Sequence, residues 1–328
     1  MNSYKVTPVS PPMQLGEGPH WIEKDQSLLF VDHPAGVLNR LYTQTGRHQV
    51  LDLEVLAGPS VAIPVEGHED KFVVGLKHDL VLVEWGPNDP DYKKCKSTKI
   101  HSFDEHLPKN ALNDAKCDPL GRLWIGSKGS EEVPGIIEPK KGTLFRVDSS
   151  LEVSEQVKEV TLSNGLTWSL DGKIFYYIDT PTLSIDAFDY DLNTGNISNR
   201  RVVYDMKSSE ITSDSHYPDG MTIDNDGNLW VGCYNGAKVI CIDPSVGKVV
   251  RTVEIPSLYT TSCCFGGKDY SILFVTSANR GLSEEEVKLQ PESGKTFAVS
   301  GLGVKGSPHR NFKINDDSFK KLLNRLDL

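Results

Sequence analysis

Asn164-Gly165-Leu166-Thr167-Trp168-Ser169-Leu170-Asp171-Gly172-Lys173-Ile174-Phe175-Tyr176-Tyr177-Ile178-Asp179 is the stretch that decides the fold. It reads as a strand, an Asp-Gly turn and a second strand of large residues, since Asp-Gly accepts the positive φ of a tight hairpin. Pro218 to Gly232 repeats it closely, and Leu112 to Gly126 repeats it again. Looser copies turn near Asp25, Glu69 and Asp269 and end in Phe30-Val31-Asp32, Val73-Val74-Gly75 and Phe274-Val275-Thr276. The copies are spaced about 45–55 residues apart, the period of a four-stranded propeller blade. A weaker second hairpin follows each of them, as in Ala187-Phe188-Asp189-Tyr190 and Val239-Ile240-Cys241-Ile242. Two hairpins per repeat make one blade. The expected fold is therefore all-β, a six-bladed β-propeller over residues 1–306, with the strand near Tyr4 to Val9 closing the last blade.

Residues 307–328 are expected to form a separate extension. Ser307 to Asn315 reads as a linker. Asp316, Asp317 and Ser318 offer helix-start chemistry, and Phe319, Leu322, Leu323 and Leu326 share one helical face. That pattern predicts a short amphipathic helix on the outside of the propeller, with a partner-binding helix as the alternative. The longest connections, Pro87 to His106, Ser127 to Lys141, Lys207 to His216 and Arg280 to Ser293, should lie at the rims.

Composition narrows the function classes. With 328 residues, 38% hydrophobic and 24% charged, the chain has the make-up of a globular protein. A net charge of −10 with scattered basic residues argues against nucleic acid and against an anionic membrane surface. No apolar run approaches the roughly 20 residues of a membrane span. Met1-Asn2-Ser3-Tyr4-Lys5-Val6 lacks the apolar core of a secretory signal, so a cytoplasmic location is expected. The six cysteines include no C-x-x-C pair and sit in or beside apolar strand patterns, which reads as reduced core thiols.

In a propeller the first strand of each blade lines the channel, so equivalent positions of distant repeats meet in space. Counting back from each turn selects Glu17, Ser60, Asn113, Asn164, Asp219 and Ser262. Two carboxylates converging with amide oxygens make a hard-oxygen site suited to Ca²⁺, Mg²⁺ or Mn²⁺. Without Cys or His in the set, structural zinc does not fit. The plainer reading is that Asn164 and Asp219, each before a glycine, only shape turns. Trp124, Trp168 and Trp230 recur at matched places and read as blade packing.

At these residues the sequence resembles the regucalcin, gluconolactonase and luciferin-regenerating enzyme family, also called senescence marker proteins. Gly16-Glu17-Gly18-Pro19-His20-Trp21, Leu162-Ser163-Asn164-Gly165, Pro218-Asp219-Gly220-Met221, Thr261-Ser262-Cys263-Cys264-Phe265-Gly266-Gly267 and Gly301-Leu302-Gly303-Val304-Lys305-Gly306 carry the resemblance, which leans toward animal regucalcins. It implies one divalent cation, Ca²⁺ first with Mg²⁺, Mn²⁺ or Zn²⁺ as alternatives, held by Glu17, Asn164 and Asp219. It also implies lactone hydrolysis with the cation as Lewis acid, Asp219 as base and Asn113 in the substrate pocket. The alternatives are a non-catalytic Ca²⁺-binding regulatory protein and a protein-interaction platform.

Two departures stand out. The family pattern Arg-x-Asn-Asp-Gly-Lys is here Ala111-Leu112-Asn113-Asp114-Ala115-Lys116, so its substrate-contacting guanidinium is gone. Such a charge-assisted contact contributes about 1.5–3 kcal/mol to binding. Gly-Thr-Met is replaced by Gly126-Ser127-Lys128, and the pocket Glu of regucalcins falls on Ser130, with Glu131 or Glu132 as substitutes one or two residues on. The expectation is a retained metal site beside an altered substrate pocket in which Lys128, Ser130 and Glu131 join Asn113.

Overall fold

The computed structural model describes residues 4–54, 58–95, 97–133, 135–208 and 215–324. Within them the strands form six sheets, each built on four antiparallel strands and arranged as the blades of a propeller. The innermost strands are Gly16–Ile22, Pro59–Pro64, Ala111–Cys117, Ser163–Trp168, Tyr217–Ile223 and Tyr259–Gly266. Each carries one of the six residues picked out by repeat counting, second or third in five of the strands and fourth, at Ser262, in Tyr259–Gly266. Lys5–Pro8 pairs with Phe297–Ser300 as the outer strand of the sixth blade. The ring is thus closed by joining the chain's beginning to its last sheet, as the sequence led us to expect.

Each innermost strand carries an irregularity against its neighbour, and it falls at or beside the counted residue. The pairing shifts between Glu17 and His20, Pro59 and Val61, Leu112 and Ala115, Asn164 and Leu166, Pro218 and Met221, and Thr260 and Cys263. A bulge bends a strand and re-aims its side chains. It also breaks the two-residue alternation, so that consecutive residues such as Asn113 and Asp114 can both face the channel. Between blades the core is aromatic and aliphatic. Trp124 and Trp230 are fully buried, and the Trp124 and Trp168 rings meet edge-on at 5.9 Å. None of the six cysteines forms a disulfide, and five of them are buried.

The structure corrects two expectations about connections. Pro87 to His106 is not simply a rim loop. Tyr92–Lys94 adds a fifth, parallel strand to the first blade, and Thr98–Ser102 is the outer strand of the second. These strands are too short and too charged to announce themselves by alternation. Arg280 to Ser293 contains a helix, Glu284–Leu289, started by a capping box between Ser283 and Glu286. Lys207 to His216 falls mostly outside the described residues.

Nor is Ser307 to Asn315 a free linker. After the Gly306 amide bonds Tyr270 O, the segment crosses the face opposite the counted residues. His309 Nε2 lies 3.2 Å from Phe265 O, and Asn311 Oδ1 lies 3.2 Å from His20 Nε2. Phe312 then joins Val65 in a parallel bridge, and Lys313 donates to Gly121 O at 2.9 Å. The expected helix spans Asp316–Leu323, capped by Asn315, whose side chain accepts from Ser318 N. Its Phe319 and Leu322 are buried in a cluster with Val61, Ile63, Leu112 and Phe145 of the second and third blades. Leu326, the fourth residue of the expected face, is outside the described residues. No helix among the described residues is long and apolar enough to cross a membrane.

Candidate active site at the channel mouth

The starts of the innermost strands open into a cavity of about 840 Å³. Glu17, Asn113, Asn164 and Asp219 all line it. Ser60 and Ser262, also expected in the ring, do not. The Ser60 hydroxyl lies 3.4 Å from Gly75 O within its own blade. Ser262 Oγ occupies the space beside Gly220, where a Cβ would sit 1.9 Å from it. A serine reaches only one bond past Cβ, so Ser262, tucked beside Gly220, stops short of the cavity and lines the narrower continuation of the channel below it.

Asn164 is held at both ends. Its Nδ2 donates to Thr180 Oγ1 at 2.7 Å, and Thr180 in turn donates to Pro218 O at 2.8 Å. That chain sets the amide so that Oδ1 faces Asn113, whose Nδ2 donates to it at 2.8 Å and to Ser163 O at 2.8 Å. An amide oxygen has two lone pairs, so one remains for a ligand. Gly165 makes the approach feasible. A Cβ there would come within 2.8 Å of Asp219 O, so only glycine lets the Asn164 strand pass so close to the Asp219 strand.

The two carboxylates have few donors around them. Glu17 Oε2 accepts from Gly18 N at 3.3 Å, and the Gly220 amide favours charge on Asp219. Against this, desolvation at the cavity floor pushes Glu17 well above the usual carboxylate range, with Asp219 and then Asp114 adding repulsion. Asp219 is driven up by desolvation and by Asp114, and Asp114 itself is raised by burial to about 6. Lys128 relieves Glu17 and Asp219 in part. Among the described residues no group of three or more His, Cys, Asp or Glu side chains converges on a metal-ligating position. The donor set here is two carboxylates and one amide, all oxygen. Under-bonded, mutually repelling carboxylates beside an aimed amide oxygen are chemistry that fits a hard divalent cation.

Lys128 and Glu131 also line the cavity. Lys128 lies directly across the ladder from Ala111, so a cation stands opposite the position where the resembling family has its arginine. Its Nζ contacts Glu131 Oε2 at 2.6 Å, and Glu131 Oε1 accepts from Gly135 N at 2.9 Å. Although burial works against it, Lys128 holds the Glu131 carboxyl below its usual value. Ser130 is buried with its carbonyl accepting from Glu138 N at 2.8 Å, and it is not among the cavity-lining residues. Glu132 points out to Lys109.

Three sets of residues escaped the sequence argument. Arg280, from the sixth blade's rim, lines the cavity. Its only signal was its place in a long connection. Tyr234 and Tyr259 stack at 4.6 Å in the wall and looked like ordinary strand residues. Below the mouth, Asp114, Lys116, His20 and His309 meet in a narrow continuation of the channel. There Lys116 Nζ donates to Met221 O at 2.7 Å, and burial lowers His20 to about 4. Strict alternation would have placed Asp114 away from the channel.

A six-bladed propeller with an oxygen-donor cavity at one channel mouth defines the class of protein. The chain belongs to the SMP-30/gluconolactonase/LRE-like family, which it matches over residues 15–279. It is 43% identical to regucalcin of Sus scrofa over 293 residues, 89% of this chain and 93% of that one. Luciferin-regenerating enzyme superposes with a TM-score of 0.86 at 32% identity, covering 95% of this chain and all of that one. A calcium-binding regucalcin from Agrobacterium tumefaciens superposes with a TM-score of 0.82 at 24% identity, covering 94% of this chain and 97% of that one, a likeness of fold.

Proposed function

We propose that this protein is a divalent-metal-dependent lactonase whose cation is held by Glu17, Asn164 and Asp219, Ca²⁺ being the first candidate. The observation that carries the proposal is the under-bonded pair Glu17 and Asp219, desolvated in one cavity with the aimed Asn164 oxygen. Membership of a family described as gluconolactonase-like supports the reaction class. A bound divalent cation would supply Lewis-acid polarisation of the lactone carbonyl.

The chain's own residues supply the rest. Asp219, at the cavity floor beside the proposed cation, is the group placed to take the proton from the water that opens the ring to a hydroxy acid. Asn113 has committed its amide N–H groups to Ser163 O and Asn164 Oδ1, which leaves its oxygen to accept from a substrate hydroxyl. Lys128 provides positive charge at the mouth and Glu131 fixes where that charge sits. Ser130 Oγ is assigned no contact with substrate.

A second reading, a non-catalytic Ca²⁺-binding regulatory protein, draws on Ala111, which removes the family's guanidinium. Regucalcin relatives and the calcium-binding neighbour lend it weight. A pH-indicator screen of lactones, with and without divalent cations and beside Asp219→Ala, separates the two. The proposal expects cation-dependent turnover that falls by at least about 10²-fold in the variant, the scale of a lost general base. Cation binding without turnover of any lactone would replace it with the second reading.

A further inference from the structure

The cavity above the carboxylates is larger than a sugar ring fills, and part of its wall is apolar. At about 840 Å³ it stands high in the range of about 300–1,000 Å³ that buries a drug-sized ligand. The floor is polar, and the walls mix apolar surface with the polar side chains of Thr161, Asn235 and Arg280. Ile136, Ile137, Leu162 and Pro181 line the arc of the third and fourth blades, and the stacked Tyr234 and Tyr259 line the arc of the fifth and sixth.

The loop that carries Ile136 is held in place from inside the cavity. Ile136 N donates to Val133 O at 2.9 Å in a tight turn, and Gly135 N donates to Glu131 Oε1. Glu131 in turn is clamped by Lys128. Both oxygens of Glu131 and the amine of Lys128 are therefore engaged in positioning the loop. Ile136 is 66% exposed and Val133 56% exposed, so the tip presents aliphatic surface that nothing among the described residues covers. A polyhydroxylated ligand would need a donor or acceptor for each hydroxyl, which the side chains of Ile136, Ile137, Leu162 and Pro181 do not provide.

We infer that the substrate is a lactone bearing an apolar substituent, an alkyl or aryl lactone, with its ring on the Glu17–Asn164–Asp219 floor and its substituent between Ile136 and the tyrosine pair. This inference rests on the lactonase reading and narrows it.

The test is a homologous series of δ-lactones, from δ-valerolactone to δ-dodecalactone, with D-glucono-δ-lactone for comparison, assayed at saturating Ca²⁺. The expected result is a kcat/KM that rises about fourfold per methylene over the first carbons, the yield of burying a CH₂ group. It should then level off as the cavity fills, with gluconolactone below the longer members. Ile136→Ser should raise KM for δ-dodecalactone several-fold more than for δ-valerolactone. A flat series, or gluconolactone as the better substrate, overturns the inference while leaving the lactonase reading intact. If no lactone is turned over, the lactonase reading fails separately, and calorimetric binding of the same lactones still decides the cavity's preference. Affinity growing with chain length supports the apolar assignment; absence of binding, or tighter binding of gluconolactone, refutes it.

Discussion

Thr180 shows how much of the site depends on a residue outside the Glu17, Asn164 and Asp219 donor set. Its hydroxyl accepts from Asn164 and donates to Pro218 O, so it fixes which end of the Asn164 amide faces the cavity. Thr180→Val keeps the shape but removes both bonds. Because outer-sphere partners of metal ligands typically contribute 10–100-fold in affinity, we expect cation binding to weaken by about that factor, measured by calorimetry. Asp114 makes a different prediction. Burial raises it to about 6, against an ordinary 3.8 that the unfolded chain would show. Between about pH 4 and 6 the folded protein therefore binds more protons than the unfolded one. Its contribution to stability is complete below about pH 4 and is lost as pH rises through about 6. Glu17 and Asp219 shift in the same direction. Thermal melts of chelator-treated protein should show a midpoint that declines over this window, and Asp114→Asn should flatten the decline. An unchanged slope in the variant would assign the effect elsewhere.

The elements most visible in the sequence are the Asp-Gly hairpins, since turn chemistry and two-residue alternation act locally. The elements missed are those fixed by distant partners. Tyr92–Lys94 becomes a strand only because the edge His48–Asp52 is there to pair with it. Ser307 to Asn315 looked like a linker because its bonds go to backbone groups of other blades, which no local pattern records. At the site, Glu17, Asn113, Asn164 and Asp219 were legible because repetition places equivalent residues together. Lys116 and Asp114 were not, since bulges break the alternation that the counting assumes. The tail carries a stability prediction of its own. Phe312 is fully buried beside Phe319 and Leu322 in the core of the second and third blades. Phe312→Ala should cost about 3–5 kcal/mol, read by denaturant titration, as for other buried phenylalanines. A cost below about 1 kcal/mol would mean that the tail is dispensable decoration.

On the scale of the whole molecule, a ring of six sheets does two things that a single sheet cannot. It brings Glu17 of the first blade, Asn164 of the fourth and Asp219 of the fifth into one cavity, although some 200 residues separate the outermost two. It also gives the channel two unlike ends, one opening into the cavity and the other crossed by His309, Asn311 and Phe312. Two carboxylates with few hydrogen bonds in a desolvated cavity cost stability unless a cation compensates them. Stability and chemistry at the channel mouth therefore both turn on that cation. The decisive measurement is a calorimetric titration of Ca²⁺ into chelator-stripped protein, run beside Glu17→Gln and Asp219→Asn variants. One cation per chain, with binding weakened at least tenfold in each variant, is the predicted result. No binding, or binding indifferent to both substitutions, would contradict the account.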